Sequence, residues 1–119
     1  MIKTKGLNHI HLRVGDLDRS VRFYTTAFGL VEKFRVGKRM VFLGTPGAGD
    51  TITLNQEPGA VGPQGGILHF GFRLADDQDL DRAIDEVRAA GGSLVERGEH
   101  EPGMPFAYVA DPDGYVIEI

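Results

Sequence analysis

Three stretches of the chain each carry a side chain able to ligate a metal ion. "LNHIHLRV" (7–14) holds His9, "ILHFGF" (67–72) holds His69 and "YVIEI" (115–119) holds Glu118. Each reads as a β-strand, whose alternation sends successive side chains to opposite faces. His9, His11 and Arg13 therefore share one face, and Ile10, Leu12 and Val14 the other. Glu118 shares its face with Val116 and opposes Ile117 and Ile119. Two imidazoles and a carboxylate converging from three strands make a facial ligand set for one divalent metal ion with open coordination positions. Fe(II) or Mn(II) suits that set best; Zn(II) and Ni(II) are also compatible. The ion would act as a Lewis acid on a bound substrate.

Other side chains extend this chemistry. His11 stands roughly 6–7 Å along the strand from His9, and imidazole is the side chain whose protonation changes near neutrality. It is a candidate catalytic acid–base group. Arg13, on the same face, is a candidate for catalysis and for bidentate binding of a substrate carboxylate. Thr53 and Tyr108 are candidate substrate contacts, although Tyr108, like Phe42, also suits a cavity wall. His100, between Glu99 and Glu101, reads as part of a solvated loop before Pro102.

The elements that must position these groups follow from periodicity. After the first strand Gly15 breaks the pattern and Asp16 can cap a helix. Leu17, Val21, Tyr24 and Phe28 form its apolar face, and Gly29 ends it. Residues 30–36, 39–44 and 50–55 read as an antiparallel meander. Residues 56–66, "QEPGAVGPQGG", are turn chemistry without periodicity and form a linker. The order then repeats: a strand to Leu74, a helix capped by Asp76, Asp77 or Asp79 with Leu80, Ala83, Ile84 and Val87 on its face, and strands over 93–98, 105–110 and 115–119. "DPDG" (111–114) has the Pro and Gly placement of a type I turn.

That repeat organises the chain. Laying 42–54 on 107–119 without a gap matches Gly49 with Gly114, Ile52 with Ile117 and Leu54 with Ile119. His9 and His69 take matched places, as do Arg13 and Arg73, and Thr53 is the counterpart of Glu118. Four equivalent strand positions would thus meet, filled by His9, Thr53, His69 and Glu118. The expected fold class is α+β: two βαβββ modules, 6–55 and 67–119 with linker 56–66, forming an open cupped barrel within a single domain spanning 1–119.

Composition narrows the function classes. The net charge of −4 gives no footprint for nucleic acid or an anionic membrane. No stretch approaches the roughly 20 apolar residues of a membrane span, and "MIKTKGLNH" lacks the apolar run of a signal peptide. With no cysteine there is neither a disulfide framework nor a thiol nucleophile, which suits a cytoplasmic protein.

The stretches "LNHIHLRVGDLDRSVRFYTTAFGL" (7–30), "ILHFGFRL" (67–74) and "DPDGYVIEI" (111–119) resemble the vicinal oxygen chelate superfamily, which includes glyoxalase I, extradiol dioxygenases, fosfomycin-resistance transferases and bleomycin-resistance proteins. The resemblance implies a homodimer and puts His9, His69 and Glu118 on three of the family's metal positions. Thr53 falls on the fourth, where glyoxalase I has a glutamate that is ligand and base; a threonine hydroxyl cannot replace that base. Arg13 falls where some glyoxalases bind the glutathione carboxylate. Residues 96–106 lack the serine-rich potassium loop of the transferases. The expected function is a metal-dependent enzyme chelating adjacent oxygens of a small molecule, dioxygenase-like or lyase-like. The alternatives are a metal-free antibiotic-binding protein and a fosfomycin-type thiol transferase.

Overall fold

The computed structural model describes every residue except Ile2, Thr4 and Gln64; Gln64, inside the linker, lies outside the described residues. The element order is β1 (His9–Arg13), α1 (Leu17–Phe28), β2 (Val31–Val36), β3 (Met40–Gly44), β4 (Thr51–Asn55), β5 (Phe70–Gly71), α2 (Leu80–Ala89), β6 (Ser93–Glu99), β7 (Pro105–Ala110) and β8 (Val116–Glu118). The fold is α+β. Two four-stranded mixed sheets, ordered β1-β4-β3-β2 and β5-β8-β7-β6, are cupped and not closed. In each, the strand before the helix pairs in parallel with the last strand of its half.

Local chemistry sets the helices. Asp16 accepts from the Arg19 N–H at 2.9 Å and caps α1, and Gly29 ends it at φ 64°, a conformation glycine adopts without steric cost. Of the three acidic candidates before α2, Asp79 is the cap, accepting from the Arg82 N–H at 3.0 Å. Leu17, Ser20, Phe23 and Tyr24 are the buried face of α1, with Val21 and Phe28 half-buried. Phe23 and Tyr24 are fully buried and meet edge-to-face at 5.0 Å. Burying each contributes roughly 1.5–3 kcal/mol.

The strands obey the expected alternation. Leu12, Ile52, Leu54, Val41 and Leu43 enter the core from the first sheet, and Ala107, Val109, Ile117 and Ile119 from the second. His9, His11, Phe42, Thr53, Tyr108 and Glu118 take the intervening positions, whose side chains turn to the cup. The strand expected over 67–74 is shorter, only Phe70–Gly71, with one further bond from Phe72 N–H to the Glu118 carbonyl at 2.9 Å. Its ladder partner β8 is three residues long, so little backbone is available to pair with it. The repeat holds, with one slip. Phe42 pairs with Thr53 and Tyr108 with Glu118, so Phe42 corresponds to Tyr108 and not to Ala107. The β3–β4 connection is one residue longer than the β7–β8 connection, which the gapless alignment could not accommodate.

Polar contacts join the halves. The Tyr24 hydroxyl donates to Asp111 at 2.8 Å, and Arg19 pairs with Asp113 at 2.8 Å. Phe28 stacks on Phe72 at 4.5 Å. Among the described residues no helix is long and apolar enough to cross a membrane.

Candidate functional site

The cup faces of β1, β4, β5 and β8 carry the residues of interest. Register places His11 beside Thr53 and Thr53 beside Phe42, forming one row of the first sheet. The matched row of the second sheet is Gly71, Glu118 and Tyr108. Thr53 is buried, 2% exposed, with its short side chain filling the position where Glu118 stands in the other half. A Cβ at Gly71 would lie 3.1 Å from the Glu118 carbonyl oxygen, so the bare glycine gives β8 room against β5.

Glu118 is the centre of the second row. Its Oε2 lies 3.0 Å from His69 Nε2, and its Oε1 lies 2.6 Å from His100 Nε2. The His100 hydrogen bond, opposed by slight burial and helped by the nearby imidazoles, holds the Glu118 carboxyl below its ordinary range. The His69 ring is 4.9 Å from the Tyr108 ring, and the His100 ring stacks on Phe106 at 4.3 Å. Arg73, the counterpart of Arg13, lines a cavity of about 660 Å³ together with His100, Phe106 and Glu118.

His9 stands across from this cluster. It lines a groove of about 410 Å³ with Thr51, His69 and Gly71, and its Nδ1 is 2.9 Å from Asn8 Oδ1. Among the described residues, no three His, Asp or Glu side chains lie where they could hold one metal ion within a single chain. His69 and Glu118 are thus assembled, and His9 shares a groove with His69 without joining them.

His11, Arg13 and His69 line a further cavity of about 250 Å³, walled by Leu12, Ile67 and Tyr115. The Arg13 guanidinium is occupied there: Nη2 is 3.2 Å and Nε 3.4 Å from Glu57 Oε1, and Nη1 donates to the Ala60 carbonyl at 3.4 Å. Gly59 crosses so close that a Cβ would lie 2.4 Å from Nη1. Two partnerships join residues far apart in the chain. Glu57 sits in the linker, 44 residues from Arg13, and His100 is 18 residues from Glu118; local pattern carries neither. His100 lies in the exposed loop after β6, as expected, but its ring is stacked on Phe106 and its Nε2 is bound to Glu118.

A sequence profile described as the glyoxalase/bleomycin resistance protein/dioxygenase superfamily matches residues 6–119. The chain belongs to that superfamily. Bacterial relatives of similar length include a probable lactoylglutathione lyase of Vibrio parahaemolyticus, 33% identical over 120 residues, covering 93% of this chain and 86% of the relative. A lactoylglutathione lyase of Haemophilus influenzae is 34% identical over 119 residues, covering 92% and 87%. Longer plant proteins also match, among them a lactoylglutathione lyase of Arabidopsis thaliana at 31% identity over 124 residues; the chain spans 42% of it. Among solved structures, a fosfomycin resistance protein of Listeria monocytogenes with Mn(II) and 1S,2S-dihydroxypropylphosphonic acid superposes with a TM-score of 0.79. It is 23% identical, covers 98% of this chain and 89% of its own, and supports the superfamily's fold alone.

Proposed function

We propose that this superfamily member is a metal-dependent lyase acting on a small molecule with adjacent oxygens. The proposed substrate class is the adduct of a thiol such as glutathione with an α-keto aldehyde. The observation that carries the reading is the contact of His69, the residue just before β5, with Glu118 on β8 at 3.0 Å, at positions matched in the repeat to His9 and Thr53. The donor chemistry fits a divalent ion: Glu118 is held as a carboxylate, and His9 faces His69 across one groove. His9, His69 and Glu118 would hold the ion, with His9 closing on the other two. When bound it would supply Lewis acidity to the substrate's oxygens.

The chain's own side chains do the rest. Thr53 offers a hydroxyl where a basic carboxylate would otherwise stand, so proton transfer falls to His11, its exposed neighbour in the row. Arg13 would exchange Glu57 for a substrate carboxylate, and Tyr108 would wall the cup beside His69. The proposed assembly is a homodimer, supported by the exposed apolar residues Val31, Phe34 and Val36 on edge strand β2 and Val95 on edge strand β6.

A second reading, a metal-free binder of small aromatic molecules, draws on the incomplete convergence of the three donors in one chain. Turnover separates the two. Protein loaded with Mn(II), Fe(II), Ni(II) or Zn(II) should isomerise the glutathione–methylglyoxal adduct, and chelator should stop it. Absence of turnover with every metal, for this adduct and for catechols, together with binding that ignores chelator, would establish the binder.

A further inference from the structure

His100 was no part of the ligand set, yet it makes the shortest contact Glu118 has. We infer that His100 is a positioning residue: it fixes one oxygen of Glu118 and thereby turns the other toward His69 and the ion. The inference rests on the reading of Glu118 as a metal ligand.

The geometry divides the carboxylate cleanly, with Oε1 2.6 Å from His100 Nε2 and Oε2 3.0 Å from His69 Nε2. Glu118 needs such a holder. Its backbone is pinned by its neighbour, since Ile119 and Ala107 exchange two hydrogen bonds of 2.9 Å, but its side chain is long and 28% exposed. The strand that carries it is only three residues long. A free carboxylate there would sample many rotamers, and binding an ion would first have to select one.

His100 is itself fixed by two independent contacts. Its N–H donates to the Met104 carbonyl at 3.1 Å, closing the turn after β6, and its ring stacks on Phe106 at 18° between planes. Phe106 belongs to β7, the strand that pairs with β8, so the holder and the held group are built on adjacent strands. Ligating carboxylates are commonly oriented by such outer hydrogen bonds, and their loss weakens metal binding about 10–100-fold.

The test is calorimetric titration of the metal-free full chain with Mn(II), with folding checked by circular dichroism. His100→Ala should weaken Mn(II) binding about 10–100-fold. His100→Phe keeps a ring to stack on Phe106 but has no donor, and should bind as weakly as the alanine variant. His100→Gln, whose amide can donate to Oε1, should recover most of the affinity. Wild-type affinity in His100→Ala, or equal losses in His100→Phe and His100→Gln, would overturn the inference. The parent reading is tested separately by Glu118→Gln. If that variant loses Mn(II) while His100→Ala retains it, only the inference fails; if Glu118→Gln binds like wild type, both fail.

Discussion

At the scale of single residues, the site is defined by which polar groups already have partners. Arg13 is engaged by Glu57 across a half-exposed contact, with side-chain exposures of 39% and 46%. Exposed ion pairs contribute at most about 1 kcal/mol, so a substrate carboxylate can compete for the guanidinium. Glu57→Gln should leave the melting temperature nearly unchanged while lowering KM for a carboxylate-bearing substrate; an unchanged KM would show that Arg13 does not bind substrate. His11 is exposed and adjoins Thr53. His11→Asn should lower kcat about 10²–10⁴-fold without changing metal content, and wild-type turnover in that variant would remove His11 from the chemistry. The face that Glu118 takes was legible because alternation assigns faces: Ile117 and Ile119 are buried and Glu118 turns away from them. Which of these residues touch one another was not legible, since Glu57 and His100 reach their partners across the tertiary structure.

At the scale of elements, caps and turns carry most of what the sequence revealed. Asp16 caps α1 as its position suggested, whereas Asp79 could be distinguished from Asp76 and Asp77 only by where the helical backbone begins. β5 is shorter than the periodicity of 67–74 suggests, because only Phe70 and Gly71 find ladder partners on the three-residue β8. The β3–β4 turn shows how a connection gains stability from one carboxylate. Asp50 accepts from the Thr45 N–H at 2.8 Å and from the Thr45 hydroxyl at 2.7 Å. Burial alone would push its carboxyl up, but the two Thr45 donors and the nearby Lys33 outweigh that and hold it below its ordinary range. A lowered native pKa favours folding above the unfolded value, near 4, and that contribution disappears as pH falls through the native value. Asp50→Asn should therefore be less stable than wild type in urea unfolding at pH 7, with the gap narrowing toward pH 3. A gap constant across that range would contradict this account of the turn.

At the scale of the whole molecule, the two halves are locked by a polar staple on one side and must bring His9 toward His69 and Glu118 on the other. Asp111 is buried and receives three donors: the Tyr24 hydroxyl at 2.8 Å and the N–H groups of Asp113 and Tyr115 at 2.9 Å each. Tyr24→Phe deprives a buried carboxylate oxygen of its donor and should cost roughly 1–3 kcal/mol of stability; a loss near zero in chemical unfolding would mean that water replaces the hydroxyl. The repeat was visible from sequence because both halves must bury the same faces. The staple was not, since it joins positions 87 residues apart. Family membership follows from the whole chain, but the chemistry turns on whether His9, His69 and Glu118 share one ion. Metal content of the purified chain, and of the chain reconstituted with Mn(II), Fe(II), Ni(II) or Zn(II), measures this most directly. One divalent ion per chain is expected in the wild type, with its loss in folded His9→Ala, His69→Ala and Glu118→Gln variants. A wild type that retains no metal after reconstitution, or variants that keep it, would contradict the account.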